Sequence, residues 1–453
     1  MPIPVLPEAF IESMQSQVGP SWNAFLTALA SPSPVSIRYH PLKKKTSEEN
    51  YEKVKWCSSG VYLPERPVFT LDPSFHAGAY YVQEASSMLI EAAVRQLVDL
   101  SAPLRVLDLA AAPGGKSTLL AGLIRPDSLL VANEVIRNRY QTLRYNLIKW
   151  GLPHAMTSNH DSREIGALEG WFDLVLLDAP CSGEGLFRKD PEAAREWSPD
   201  HVRFCASRQK RIFADAAGLV RPGGIILYST CTYNAQENAG NVAWFCQEFG
   251  YDHLPLDFPG DWGILAQELG YQCFPHLVKG EGFFLAALRK QATSPAKTAS
   301  LKPGRLPAWA PLAGKWIDLA KSCLETPEAF SFYADPDQTI RAVPKALEED
   351  VLIAAQALKR SHWGVEIGQI KGKDLIPSPD LALSTAISPA FPFVEAGKPT
   401  ALRFLKKEQV EFPGTPNGWT LVRYQGLNLG WVKIMDRRTN NYYPKEWRIL
   451  MEV

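Results

Sequence analysis

Between residues 104 and 230, short apolar runs alternate with helical stretches, and this rhythm constrains the fold more than any other feature of the chain. LRVLDLA reads as a strand and KSTLLAGLI as the helix after it. SLLVANEV, HAMTSNHD, FDLVLLDA and GIILYSTCT read as further strands, RNRYQTLRYNLIKW and HVRFCASRQKRIFADAAGLV as helices, and RPGG as a turn. Strands alternating with helices predict an α/β fold, a parallel sheet covered on both faces. Ligands of such sheets lie outside the carboxyl ends of the strands. Every chemically suggestive motif of the chain falls at one of those ends.

The flanks are expected to form separate units. Residues 1–103 read as a small α+β region: FIESMQSQVGPSWNAFLTAL as helix, turn and helix, VSIRYHP as a strand, and 81–99 with helical spacing. The core runs over 104–290. The stretch 291–305, rich in Ser, Thr, Pro, Ala and Lys, reads as a linker, 306–385 as a middle domain with several helical patterns, and 386–453 as a small β-rich end domain. Hydrophobic content of 46% and charged content of 21% are those of globular protein. No apolar run reaches the roughly 18 residues of a membrane span, and the start lacks the basic and apolar regions of a signal peptide. Seven cysteines without a CxxC pair fit reduced thiols in a cytoplasm. The 48 basic residues balance 48 acidic ones, so any contact with nucleic acid has to come from local patches.

LDLAAAPGGKST (107–118) leaves the first strand through small residues and enters a helix, a place where backbone can approach a ligand closely. A dinucleotide is disfavoured because GxGxxG is absent. A nucleoside triphosphate fits the spacing of Ala110, Gly115, Lys116 and Ser117, a P-loop with its first glycine replaced. However, Pro113 removes an N–H from a phosphate cradle, and the alanine crowds the turn. S-adenosylmethionine has no phosphate to cradle. Its ammonium wants an acid at the strand end, where Asp108 stands, and its ribose wants a carboxylate at the next, where Glu134 stands 26 residues on. Asp161, after the third strand, is a candidate acceptor for the adenine amino group. Helix capping alone accounts for one such acid more readily than for three together.

Two cysteines stand at strand ends: Cys181 in LVLLDAPCSGEG (174–185) and Cys231 in LYSTCTYN (227–234). If the fourth and fifth strands are neighbours, the two thiols lie close together. Metal binding needs about four ligands, and no histidine partner is evident, so no metal is expected. The other five, Cys57, Cys205, Cys246, Cys273 and Cys323, read as buried filler. A methyl donor beside a thiol points to a carbon that must be activated before it can attack, such as C5 of a pyrimidine. A thiolate adding to C6 makes C5 nucleophilic. A second group can then take the C5 proton, and Asp178 is the candidate to meet charge at N3.

LDLAAAPGGKS, ANE, LLDAPCSGEG and STCT, in this order over 104–290 and closing with EGFFLAALRK, resemble the RNA cytosine-5 methyltransferases of the Nop/Sun family. That resemblance implies a Rossmann-like S-adenosylmethionine-dependent core. It makes Cys231 the nucleophile and Cys181 the aid to product release. Ala110, Ala111, Ala112, Pro113, Gly114, Gly115 and Lys116, with Glu134, Asp161 and Asp178, become cofactor contacts, Lys116 acting near Asp178. FHAGAYYVQEASSM (75–88), FRKDPEA (187–193) and LGWVKIMDRRTNNYYPKEWRI (429–449) are similar to the bacterial F-type branch, whose core is followed by a PUA-like domain and whose substrate is RNA of the small ribosomal subunit. Transfer RNA as substrate, and an RNA-binding assembly factor without catalysis, are the rival expectations. In the tail, Lys433, Arg437, Arg438, Lys445 and Arg448 interleave with Tyr442, Tyr443 and Trp447, a pattern suited to phosphates and unpaired bases. Arg188 and Lys189 are expected to meet the target strand, and Lys43–Lys45 to be a weaker basic run. A monomer is expected.

Overall fold

Five strands that are apolar along most of their length run parallel at the centre of the computed structural model, which describes residues 6–43, 50–292, 301–304, 306, 308–436 and 438–451. They are β1 (Arg105–Asp108), β2 (Leu129–Asn133), β3 (Ala155–Ser158), β4 (Phe172–Asp178) and β5 (Val220–Thr230). Their order in the sheet is β5–β4–β1–β2–β3, all neighbours parallel. Successive side chains of a strand point to opposite faces, so a sheet covered on both sides needs no polar alternation. Leu107, Val131, Val175 and Leu177 accordingly enter one core with Phe213 and Phe245, while Val106, Leu130, Leu174 and Leu176 enter the other with Leu119 and Leu120. The covering helices are α1 (Gly115–Leu123), α2 (Arg137–Trp150), α3 (Pro199–Ala217) and α4 (Ala239–Phe249). Phe213 of α3 and Phe245 of α4 stack with ring centroids 3.6 Å apart.

Antiparallel strands extend this sheet at both ends. Phe283–Lys290 pairs with β5, and Ser361–His362, from far along the chain, pairs with β3. RPGG, expected as a turn, lies within β5 as an irregularity. The pairing of β4 with β5 shifts register there, and Gly223 has φ +74°.

The flanking regions pack on this core. Helices Glu8–Val18 and Trp22–Ala30 precede a three-stranded antiparallel sheet of Val35–Tyr39, Gly60–Leu63 and Tyr80–Val82. The helical spacing expected over 81–99 is realised only from Ser86 on, because Tyr81 and Val82 pair with Arg38 and Ile37. Residues 310–377 contain a five-stranded antiparallel sheet as well as helices Lys315–Ser322 and Glu348–Ala357. Several helical patterns are the expectation there; TIRAVP and VEIGQIK are short strands that such a reading does not single out. The C-terminal stretch forms a four-stranded sheet over Phe393–Asn441 with helix Lys398–Leu405. Most of the expected linker, 293–300 and Arg305, lies outside the described residues, as do Lys44, Lys45 and Arg437. Among the described residues no helix is long and apolar enough to cross a membrane.

The end of α2 shows how closely the regions fit. Gly151 follows it with φ +76°, and its carbonyl accepts from Thr385 N at 2.9 Å. A Cβ at Gly151 would lie 2.1 Å from the Leu383 carbonyl oxygen. Gly151→Ala is therefore expected to lower stability by about 1–3 kcal/mol from backbone strain alone, read as a lower urea midpoint in equilibrium unfolding.

Candidate active site

The order β5–β4–β1–β2–β3 reverses direction between β1 and β4, which opens a crevice at the carboxyl ends of these two strands. Asp108 ends β1, Asp178 ends β4, and the loop 109–114 crosses the mouth between them. Gly114 turns the chain into α1 with φ +115°, a conformation that L side chains rarely adopt. Ala111 and Ala112 are buried against Leu143 and Leu147 of α2. Two side chains of α2 that the sequence reading did not single out clamp the loop's carbonyls: Arg139 Nη2 donates to Ala112 O and Asn146 Nδ2 to Pro113 O, each at 2.8 Å.

The acids at the strand ends differ in environment. Asp108 is wholly buried; its Oδ2 accepts from Ser117 Oγ at 2.6 Å, and its Oδ1 has no hydrogen-bond partner among the described residues. Burial pushes the Asp108 carboxyl up to about 7. Glu134 is also buried. Its Oε1 accepts from Ile136 N at 2.9 Å, while Oε2 has only an ion pair at 3.6 Å with Arg139. Two desolvated carboxylate oxygens, at the ends of neighbouring strands, thus have hydrogen-bonding capacity to spare. Asp161 follows β3 but is half exposed, and it accepts from Arg163 N and Nε at 3.1 and 3.3 Å. It caps its own turn.

Lys116, in the first turn of α1, reaches across the crevice. Its Nζ lies 2.7 Å from Asp178 Oδ2, while Asp178 Oδ1 accepts from Ser229 Oγ of β5 at 2.7 Å. Burial pulls the Lys116 ammonium down, but Asp178, then Asp108 and Cys231, outweigh it and leave the ammonium above the usual lysine value. β4 and β5 are neighbours, so the loops after them meet: Cys181 Sγ and Cys231 Sγ are 3.1 Å apart, both half-buried and both free. The hydrogen bond with Cys231, then burial, hold the Cys181 thiol well above its usual value; a donation from Cys231 N at 3.3 Å opposes this weakly. The two sulfurs are thus close enough to share a proton.

Several expected RNA contacts are placed otherwise. Arg188 is not free to meet a strand. Its side chain is buried, donating to Glu281 Oε2 at 2.9 Å, Gly280 O at 2.6 Å and Ala28 O at 3.2 Å, so it braces the PC loop against the N-terminal helices. Lys189 is exposed. Lys43 is no surface charge either: its Nζ donates to Lys149 O at 2.7 Å and Ala77 O at 3.1 Å. In the tail, Tyr443 is core and Trp447 packs on Tyr145 at 4.7 Å, so these rings stack within the protein. Arg438 and Lys445 are exposed. The residues that sequence reasoning missed, Arg139, Asn146, Ser229, Gln209 and Glu237, act through side chains that only the fold brings together. Of these, only Ser229 lies inside a stretch quoted for its chemistry; Arg139, Asn146 and Gln209 lie in stretches read only as helices.

Known proteins match the chain over most of its length. Residues 96–289 match the family model of 16S rRNA methyltransferase RsmB/F. Residues 6–85 match the N-terminal domain of 16S rRNA methyltransferase RsmF, and 391–449 match the methyltransferase RsmF PUA domain. Ribosomal RNA small subunit methyltransferase F of Cronobacter sakazakii is 31% identical, the alignment covering 97% of this chain and 96% of that one; its counterpart in Serratia proteamaculans is 32% identical with the same coverage. A solved methyltransferase homolog from Pyrococcus horikoshii is 29% identical over 63% of this chain and 96% of its own, with a TM-score of 0.54. NSun6 from the same organism, at 20% identity and a TM-score of 0.53 over 64% of this chain and 99% of its own, shares the fold. With the crevice, the paired thiols and an end-to-end match in hand, the chain belongs to the RsmB/F family of 16S rRNA methyltransferases.

Proposed function

We propose that this protein transfers a methyl group from S-adenosylmethionine to C5 of a cytosine in small-subunit ribosomal RNA, working as a monomer in the cytoplasm. The observation that carries this reading is the pair of free thiols, 3.1 Å apart, beside the Lys116–Asp178 ion pair. The near end-to-end match to relatives named for the small ribosomal subunit supports the choice of RNA.

The cofactor fits the residues present. Asp108 Oδ1 and Glu134 Oε2, buried and without hydrogen-bond partners among the described residues, suit an ammonium and a ribose hydroxyl, and the loop Ala110–Gly115 admits a nucleoside at close range. Lys116 is engaged with Asp178, which weighs against a phosphate cradle. S-adenosylmethionine supplies an electrophilic methyl group at this place.

The chain's own groups do the rest. Cys231 Sγ adds to C6 of the base and makes C5 nucleophilic. The Lys116–Asp178 pair offers a proton to N3 as negative charge develops there. After methylation C5 carries a proton that must leave, and departure of Cys231 Sγ from C6 restores the double bond. Cys181, whose Sγ lies 3.1 Å from Cys231 Sγ, takes the C5 proton as the thiolate while Cys231 Sγ departs as a thiolate, and the proton at N3 returns to the Lys116–Asp178 pair. The base has to leave its stack to reach these groups, which costs a few kcal/mol unless it is already unpaired.

Cys231→Ala is expected to lower methyl transfer on the order of 10³-fold or more, whereas Cys181→Ala is expected to trap a covalent protein–RNA adduct that survives denaturation. Full activity in Cys231→Ala would overturn the assignment. Bisulfite sequencing of 16S rRNA and transfer RNA from a deletion strain should show one 16S cytosine losing its mark; loss confined to transfer RNA would move the substrate.

Asp108 adds a pH dependence. Its carboxyl is raised to about 7, so the charged form that attracts a cation is present above that pH and lost below it. Between pH 7 and 5.5 the Kd for S-adenosylmethionine, measured by calorimetry, is expected to weaken about tenfold per unit, and Asp108→Asn to bind weakly with a flat profile. A flat profile in the unsubstituted protein would separate Asp108 from the ammonium.

A further inference from the structure

Beneath the thiol pair lies a buried polar network that the chemistry above does not use. Glu237, between β5 and α4, and Gln209, in α3, are both inaccessible to solvent. Glu237 Oε2 accepts from Ser182 N at 3.0 Å and from Gln209 Nε2 at 2.8 Å. The same Gln209 Nε2 donates to Pro180 O at 3.0 Å. Ser182 follows Cys181 and Pro180 precedes it, so the peptide on both sides of this thiol is fixed to one carboxylate–amide pair. Gln209 is itself held, its Oε1 accepting from Asn241 Nδ2 at 2.7 Å and Tyr228 Oη at 3.0 Å.

Cys231 meets the same loop through Ser182 and Gly185 but has a further anchor outside it, at Thr230. Its carbonyl accepts from Gly185 N at 2.9 Å, and its neighbour Thr232 meets Ser182 Oγ through its own hydroxyl at 3.0 Å. Thr230, before it, donates to Asn238 Oδ1 at 2.6 Å. Burial pushes the Glu237 carboxyl up to about 7, and its Oε1 has no hydrogen-bond partner among the described residues. A carboxylate this deep is costly to bury, and well-packed apolar side chains often stabilise a fold as well as buried charges do. What Glu237 supplies that an apolar residue cannot is an acceptor aimed at the Cys181 peptide.

We propose that Glu237, acting with Gln209, is the positioning residue for Cys181 in the release step: it keeps this thiol within reach of Cys231, and attack by Cys231 does not depend on it. The inference rests on the two-thiol cycle proposed above.

The test compares the full-length protein with Glu237→Ala, Glu237→Gln and Cys181→Ala. Small ribosomal subunits from a deletion strain and labelled S-adenosylmethionine serve as substrates. Two quantities are read: methyl transfer in the first turnover, and the fraction of enzyme in a denaturation-resistant RNA adduct. Glu237→Ala should keep first-turnover methylation within about threefold, slow multiple turnover about tenfold or more, and accumulate adduct. Glu237→Gln, whose amide oxygen can accept from Ser182 N, should restore most of the turnover. A merely structural role would slow both phases together without adduct, and that result, or wild-type behaviour of Glu237→Ala, overturns the proposal. If Glu237→Ala does not fold, Gln209→Met breaks the same clamp from α3 and has to accumulate adduct for the proposal to stand. Cys181→Ala distinguishes the two levels: its failure to trap adduct sinks the two-thiol cycle, whereas trapping by Cys181→Ala but not by Glu237→Ala sinks only the positioning role.

Discussion

The ion pair between Lys116 and Asp178 joins the two halves of the site. Lys116 belongs to the helix that opens from the cofactor loop, and Asp178 to the strand whose continuation carries Cys181. The last backbone hydrogen bond between β1 and β4 runs from Leu109 N to Leu176 O at 2.9 Å, and past it the Lys116 and Asp178 side chains join the two sides. Neither partner is fully exposed, so the pair is less screened than a surface salt bridge. Ser229 takes the second carboxylate oxygen and draws β5, and with it Cys231, into the same arrangement.

A second layer holds that arrangement from outside. Phe10 and Phe25 of the N-terminal helices pack against Phe187, Trp197 and Tyr233, which flank the two cysteine loops. Arg188 adds a buried ion pair with Glu281 at 2.9 Å and a hydrogen bond to Ala28 O. Removing one partner of such a pair leaves an uncompensated buried charge, whose cost is about 3–5 kcal/mol. Arg188 is therefore committed to holding the loop, and Lys189 beside it, more exposed, adds a longer ion pair of 3.7 Å to the same Glu281.

The core of the fold was legible because its strands are continuous apolar runs and its helices amphipathic, two patterns that periodicity separates well. RNRYQTLRYNLIKW was read as a helix, and the structure places it over Arg137–Trp150. The nearness of Cys181 and Cys231 followed from expecting β4 and β5 to be neighbours, as they are. What escaped were elements defined by partners distant in sequence. The strand Ser361–His362 exists because β3 offers an edge, and Tyr81 pairs with Arg38 although its neighbours favour a helix. Glu237 looks like an ordinary residue before a helix and Gln209 like an ordinary polar residue within one, until the fold bonds them to the peptides on either side of Cys181. The tail misled for the opposite reason: interleaved aromatics and cations suit RNA and a small β core equally well, and Tyr443 went to the core.

The N-terminal sheet does not complete its own packing. Ile37, Val61 and Tyr80 share one apolar cluster with Phe404, Val432 and Tyr443, near the other end of the chain. During synthesis, then, the N-terminal sheet lacks this covering until the later Phe404–Tyr443 stretch emerges. Domains commonly fold in order as they leave the ribosome; here an earlier region has to wait for a later one, and in the interval its open face is a surface for chaperones or for aggregation.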